Sequence, residues 1–323
     1  MQAGLKQFSG FISEMNERTQ SSDAHALARW GARTLSETIG FDCAWYGWAQ
    51  LKEEGVQIYA QSAHNLPDNY YDSWCAMSEQ DLLAAAMHEN PDKAAVYDRF
   101  GNTQTDGMIT LADTYGLNKM ATAMQSRPGR AASFYLSSYR SGRNSRTWSQ
   151  VELDFLQCAV DQLSSAMSLS VDSATTHGSE EHSVLVATDG TGVLGVNKAR
   201  KRFGSLWPEW RNDQLPQQLC NLISLNGEHV LVDRQLVVTC ENNTVTSDMD
   251  LRKLTLRSLH KFDLLTEREK EVARLLAQGM SHKEVARQLT VAPATVRNQT
   301  QSIYSKLHVN SRAALASAVN TQS

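Results

Sequence analysis

Residues 265–307 read LTEREKEVARLLAQGMSHKEVARQLTVAPATVRNQTQSIYSKL, a run in which the helix boundaries are written in residue types. Thr266 with Glu269 three residues later makes a capping box, in which each side chain satisfies a backbone N–H left over at a helix start. Val272, Leu275 and Leu276 give this helix an apolar stripe, and Gly279 sits where a left-handed residue would end it. Ser281 and Glu284 repeat the box, with Met280 and Val285 as its hydrophobic staple. The second helix turns Val285, Ala286 and Leu289 inward and ends near Thr290–Val291. Pro293 then suits the first position of a third helix, where its missing N–H costs nothing.

On the wheel of the third helix, Val296, Ile303 and Leu307 fall on one narrow stripe. Opposite lie Ala294, Arg297, Asn298, Gln301 and Ser305, a polar face with no acid. Arg matches the edge of guanine, and Asn or Gln that of adenine, so this face suits a major groove. A short helix, a tight turn and a longer helix with such a face make a helix-turn-helix. A bundle used only for packing would need both boxes, the glycine and the acid-free face to coincide.

The segment Leu264–Leu315 resembles the LuxR-type helix-turn-helix through Leu265-Thr266-x-Arg268-Glu269, Val272, Leu276, Gly279, Ser281-x-Lys283-Glu284-Val285-Ala286, Leu289, Thr295-Val296, Ile303, Lys306-Leu307 and Arg312-Ala313. That resemblance implies base reading by Arg297, Asn298 and Gln301, and phosphate contacts by Lys283, Thr295 and Lys306. Two positions depart from the family: Ala292 replaces a capping Ser, and Gln299 replaces a common His.

Charge fits the same division. Residues 260–323 carry nine Lys/Arg against five Asp/Glu, a net +4, which leaves −8 on the other 259 residues of a chain whose net is −4. Only the basic end is expected to meet a polyanion. The longest apolar stretch is the six residues Leu82–Met87, against the roughly 18 of a membrane helix. The start MQAGLKQFSG has no apolar signal region, and the five cysteines show no CxxC spacing. A cytoplasmic protein with no membrane segment, disulfide framework or zinc ribbon is expected.

Eight of the 24 aromatic residues lie between Phe41 and Trp74, about a tenth of the chain. Trp and Tyr need hydrogen-bond partners when buried, which makes them poor filler for an ordinary core. Trp45, Trp48, Tyr59, Tyr70, Tyr71 and Trp74, with His64 and Asp81, are therefore the candidate lining of a ligand pocket. A helix over 23–39, a hairpin from Cys43–Leu51 and Gly55–Ala63, helical turns through Asp68–Met87 and a strand at Ala131–Tyr139 surround them. Ser149 and Glu152 cap a long helix that Trp148 staples to Leu153. This layout resembles a GAF-type sensor domain, and the related autoinducer-binding domain of LuxR-type regulators. Tyr70 and Trp74 keep the autoinducer motif's spacing with residue types exchanged, while Asp81 comes early relative to that motif and Leu82 replaces its proline. Leu153, Leu156, Val160, Leu163 and Met167 form a seam that fits either a dimer helix or packing within the domain.

Residues 171–180 read as a linker. Beyond it, Val184–Ala187, the turn Thr188–Gly192, Val193–Val196 and then Asn197-Lys198-Ala199 give strand, turn, strand and helix start, which resembles the opening of a PAS domain. Further strands are expected at His229–Glu241 and Met249–Leu259, joined through Asn242–Asp248. Lys198 stands where a flavin photosensor of that class has its cysteine, so no such cofactor is expected. No GxxxxGK[ST], GxGxxG, GxSxG or HExxH occurs, and an enzyme has nothing to stand on.

The fold class expected is multidomain: a GAF-like α+β sensor (1–170), a linker (171–180), a PAS-like α+β module (181–259) and an all-α helix-turn-helix (260–323). The expected function is an effector-responsive transcriptional regulator, binding double-stranded DNA as a homodimer and a small apolar or aromatic effector, with RNA polymerase as a further partner. An acyl-homoserine lactone receptor, and a regulator controlled by a protein partner alone, are the alternatives.

Overall fold

The computed structural model describes residues 2–53, 55–125, 131–173, 181–242 and 251–320. Helices α1 (Gln2–Thr19) and α2 (Ala24–Leu35) precede a hairpin of β1 (Cys43–Lys52) and β2 (Gly55–His64). Then follow α3 (Tyr70–Cys75), α4 (Leu82–Glu89), β3 (Ala95–Asp98), α5 (Asp106–Tyr115), β4 (Leu117–Met124), β5 (Ser133–Ser141) and α6 (Gln150–Ser173). The next segment holds β6 (His182–Ala187), β7 (Gly192–Leu194), α7 (Val196–Phe203), α8 (Gln217–Cys220), β8 (Gly227–Leu231), β9 (Leu236–Asn242) and β10 (Leu251–Ser258). The chain closes with α9 (Glu267–Ala277), α10 (His282–Gln288), α11 (Pro293–Leu307) and α12 (Arg312–Asn320).

One five-stranded sheet has the order β2-β1-β5-β4-β3, its pairs antiparallel. Alternation along β1 sorts its side chains: Ala44, Tyr46 and Trp48 join a core that includes buried residues of α1, α2 and α6, whereas Trp45 and Ala49 join one with α3, α4 and α5. The second sheet has the order β7-β6-β10-β9-β8. The expected strand 229–241 is broken into β8 and β9 by a 3-10 turn, Val232–Arg234, followed by Gln235 in the left-handed region at φ +51. Of the expected linker and the Asn242–Asp248 connection, residues 174–180 and 243–248 lie outside the described residues.

Two compact units emerge: residues 1–227 with 239–255, and residues 228–238 with 256–323. This differs from a division at 171–180. Leu185, Ala187, Val193, Leu194 and Leu251 of the middle segment are buried in the same core as Phe11, Leu27, Trp48 and Leu163. Residues 1–173 and the greater part of the middle segment thus share one core, while 228–238 and 256–258 fall in the second unit. The α6 seam is consumed there too: Leu156, Val160, Leu163 and Met167 are fully buried and Leu153 packs against them, so these side chains are not a dimer face.

The sensor's capping motif acquires a partner that the sequence reading missed. Glu152 closes the box with Ser149 and also takes Arg140 Nη2 at 2.6 Å. Arg140 donates to the carbonyls of Ile39 and Gly40 and lies 3.7 Å from the Trp148 ring centre. Burial opposes the charge on Glu152, but these hydrogen bonds outweigh it and hold the carboxyl at about 2.

Candidate functional site

In the second unit the helix boundaries follow the residue types. Thr266 Oγ1 accepts from the Glu269 N–H at 3.3 Å while Glu269 accepts from the Thr266 N–H at 2.8 Å. Ser281 and Glu284 repeat this at 3.3 and 2.7 Å. Gly279, at φ +100, lets Met280 N–H reach the Leu275 carbonyl and its own N–H reach Leu276, closing the end of α9. The same double closure ends α10, with Val291 to Ala286 and Thr290 to Arg287, yet there the left-handed residue is Thr290 at φ +54. A β-branched residue rarely adopts that backbone, and the sequence reading did not foresee it.

The core of this unit is Leu265, Val272, Leu276, Val285, Ala286, Val296, Ile303, Leu307 and Leu315, among others. It fixes the rotation of α11: Val296, Thr300, Ile303 and Leu307 are buried, and Ala294, Thr295, Arg297, Asn298, Gln301 and Ser305 are exposed. Arg297, Asn298 and Gln301 thus share one solvent-facing side of a helix that carries no acid. Lys283 is exposed on α10. Ala292 caps nothing, as expected from its missing hydroxyl.

Lys306 departs from its expected role. Its Nζ lies 2.6 Å from Glu269 Oε2, and Ser302 Oγ donates to the other oxygen at 2.7 Å. Burial works against the Glu269 charge, but Lys306, Ser302 and Thr266 overcome it and keep the carboxyl at about 2. Lys306 is therefore engaged as a strut between α9 and α11, with its side chain still 36% exposed. Arg268 and Arg312 are struts as well: Arg268 Nη2 donates to the Leu289 carbonyl at 2.8 Å, and Arg312 Nε to Leu276 at 2.9 Å. Both stood in the quoted pattern, but pattern alone assigns them no partner.

In the first unit, five of the eight candidate ligand residues meet. Trp45 packs against Trp74, Tyr70 and Tyr71 with ring centres 4.9, 5.6 and 6.2 Å apart, and Trp74 Nε1 donates to Asp81 Oδ2 at 2.8 Å. Asp81 also caps α4 through the N–H groups of Leu83 and Ala84, and burial raises its pKa against those bonds. Tyr135 lies 5.1 Å from Trp45, is 3% exposed, and its hydroxyl has no hydrogen-bond partner among the described residues. Tyr70 OH donates to Tyr139 OH at 2.8 Å, and burial raises the pKa of both phenols. Met77, Met87, Met108, Met120 and Met124 complete this core, so its outline is adaptable. A hollow of about 430 Å³ borders it at Val56, Asp81, Ala84 and His88.

Trp48, Tyr59 and His64 do not belong to it. Trp48 falls on the opposite side of β1, against Phe134. The β1–β2 register slips at Trp48/Ala49, where Trp48 pairs with Ala60 but Ala49 pairs with Ile58. This bulge puts Tyr59 on the same side as Ala60, where its hydroxyl donates to Gln50. His64 is half-buried and pairs with Asn65; burial and Arg33 lower its pKa.

Residues 263–319 match the family described as bacterial regulatory proteins, luxR family. They are a LuxR-family helix-turn-helix. The LuxR-type segment is 48% identical over 48 residues to the transcriptional regulatory protein DesR of Bacillus subtilis, 15% of this chain and 24% of that one. It is 43% identical over 53 residues to the nitrate/nitrite response regulator protein NarP of Escherichia coli, 16% and 25% of the two chains. This chain thus spans about a quarter of the length of these curated relatives. Among solved structures, Escherichia coli SdiA aligns over 97% of both chains at 15% identity and TM-score 0.37. A phycoerythrobilin-bound GAF domain of a cyanobacterial phytochrome aligns over 51% of this chain and 96% of its own at 16% identity and TM-score 0.37. No helix among the described residues is long and apolar enough to cross a membrane.

Proposed function

We propose that this chain is an effector-responsive transcriptional regulator of the cytoplasm, with DNA read by α11 and a small apolar or aromatic effector bound at the Trp45–Trp74 cluster. The observation that carries the first half is the acid-free exposed face of Arg297, Asn298 and Gln301 over a buried Val296/Ile303 stripe. Thr295 and Lys283 contact phosphates beside it. A homodimer would place two such helices on a two-fold operator. The buried Tyr135 hydroxyl, without a partner among the described residues and on a ring packed against Trp45, supports the second half. Effector would act by its differential affinity for two states of the protein.

Selection of bound duplexes from a random library, followed by footprinting of the intact chain, tests the reading. Enrichment of a two-fold motif is the expected result, and no enrichment with or without effector overturns it. A second reading, an acyl-homoserine lactone as effector, is favoured by the contact of Trp74 with Asp81, four and eleven residues after Tyr70. Stabilisation of the protein in a thermal-shift screen by acyl lactones, and not by other aromatic or fatty-acyl compounds, would select it. Co-purification of a partner with no ligand stabilisation would favour control by protein alone.

A further inference from the structure

The hollow of about 430 Å³ beside the Trp45–Trp74 cluster is framed by the end of the β1–β2 hairpin, the turn Ser78–Gln80 and one side of α4. Leu51, Val56, Ala84 and Ala85 give it an aliphatic wall. Its charge is one-sided. Glu53, Glu79 and Glu89 are exposed and Asp81 is half-buried, against Lys52 and the imidazole of His88 in the described lining. No ion pair joins Glu53, Glu79 or Glu89 to a described residue.

Carboxylates gathered round an apolar concavity focus a negative potential, which draws cations in and turns anions away. Asp81 offers such a cation a partner. Its Oδ1 accepts from Leu83 and Ala84, whereas its Oδ2 accepts from Trp74 alone among the described residues, and a carboxylate oxygen has room for two donors. Burial raises the pKa of this carboxyl, so a cation on the open position offsets the cost of keeping it charged. Trp74, bonded to Asp81, and Trp45, packed on Trp74, add aromatic surface of the kind that attracts cations. A metal ion does not suit the arrangement: no three His, Cys, Asp or Glu side chains among the described residues converge closely enough to hold one. Scattered carboxylates around an aliphatic wall suit a single ammonium carried on an apolar body.

We propose that the effector is an organic cation, its ammonium held at Asp81 and its apolar body against the aliphatic wall and the Trp45–Trp74 cluster. This deepens, and rests on, the reading that the cluster is the effector site. Among small apolar or aromatic compounds it selects amines, and it departs from the neutral acyl lactones.

The test uses the full chain and three probes of one shape: phenylbutylamine, phenylbutanol and phenylbutyrate, which are cationic, neutral and anionic near neutral pH. Calorimetry at low salt should find the amine bound about tenfold tighter than the alcohol, the factor of one hydrogen bond to a charged group, and the acid weakest. Asp81→Asn keeps a side-chain oxygen for the cap of α4 and should abolish the preference for the amine. A second variant, Glu53→Gln/Glu79→Gln/Glu89→Gln, changes exposed side chains only, so its fold is not at stake. It should weaken the amine by roughly three- to tenfold, remove most of its salt dependence and leave the alcohol unchanged. Equal binding of the three probes, or tighter binding of the alcohol, the acid or an acyl lactone, overturns the inference and leaves the effector site standing for another ligand. Amine binding that neither folded variant weakens overturns it too. If none of the three binds, the inference falls, while the thermal-shift screen decides the effector reading by itself.

Discussion

Lys306 Nζ stands 2.6 Å from Glu269 Oε2, so the third helix of the LuxR-type unit is fastened to the cap of its first. The same carboxylate receives Ser302 and the Thr266 N–H, which makes it the hub of the unit. Its folded pKa of about 2 lies below its ordinary 4.5, so its stabilising effect is present above 4.5 and lost as pH falls between the two. Urea titrations over that range should show stability falling with acid. Glu269→Gln should cost about 1–3 kcal/mol near neutrality and flatten that acid dependence. An unaltered acid dependence in the variant would remove the hub role.

Arg297→Ala should cost about 1–3 kcal/mol on the selected duplex and much less on random duplex, since a bidentate base contact carries sequence preference. A competition titration measures both. Equal losses would reassign Arg297 to the backbone.

Thr290 bears a β-branched side chain at φ +54 in the turn before α11. Thr290→Gly relieves that backbone but gives the unfolded chain more freedom, leaving a gain of about 0.5–1 kcal/mol. Thermal melting should move upward. A lower melting temperature would mean that the Thr290 side chain has a stabilising contact of its own.

Tyr135→Phe removes a buried hydroxyl that has no partner among the described residues. Most such changes in a core destabilise; this one should be neutral or stabilising by up to about 1–2 kcal/mol in ligand-free protein. With effector present, the variant should bind more weakly if the hydroxyl is a ligand contact. Calorimetry of both proteins with the best hit of the thermal-shift screen separates these outcomes.

How much of this was legible depends on how local the governing rule is. Caps, Gly279 and the polar face of α11 are short-range patterns, and each reappears in the structure at the expected residue. Trp48 was misplaced because composition groups neighbours, whereas a pleated strand sends Trp45 and Trp48 to opposite sides. Tyr59 turns on a bulge, which only the pairing of two strands reveals. Strand β4 was invisible for another reason: Leu117–Met124 is buried throughout, yet LNKMATAM has a single β-branched residue, Thr122, and none of the aromatic residues that mark a strand. The ion pair of Lys306 with Glu269 was not legible, because a resemblance transfers residue types and not the neighbours that they meet.

The burial of Leu185, Val193, Leu194 and Leu251 among the side chains of α1, α2 and α6 reaches beyond stability. Recombination that swapped the amino-terminal segment for a foreign one at the α6–β6 junction would leave a greasy wound on both fragments. Inheritance of these two segments is thereby tied together.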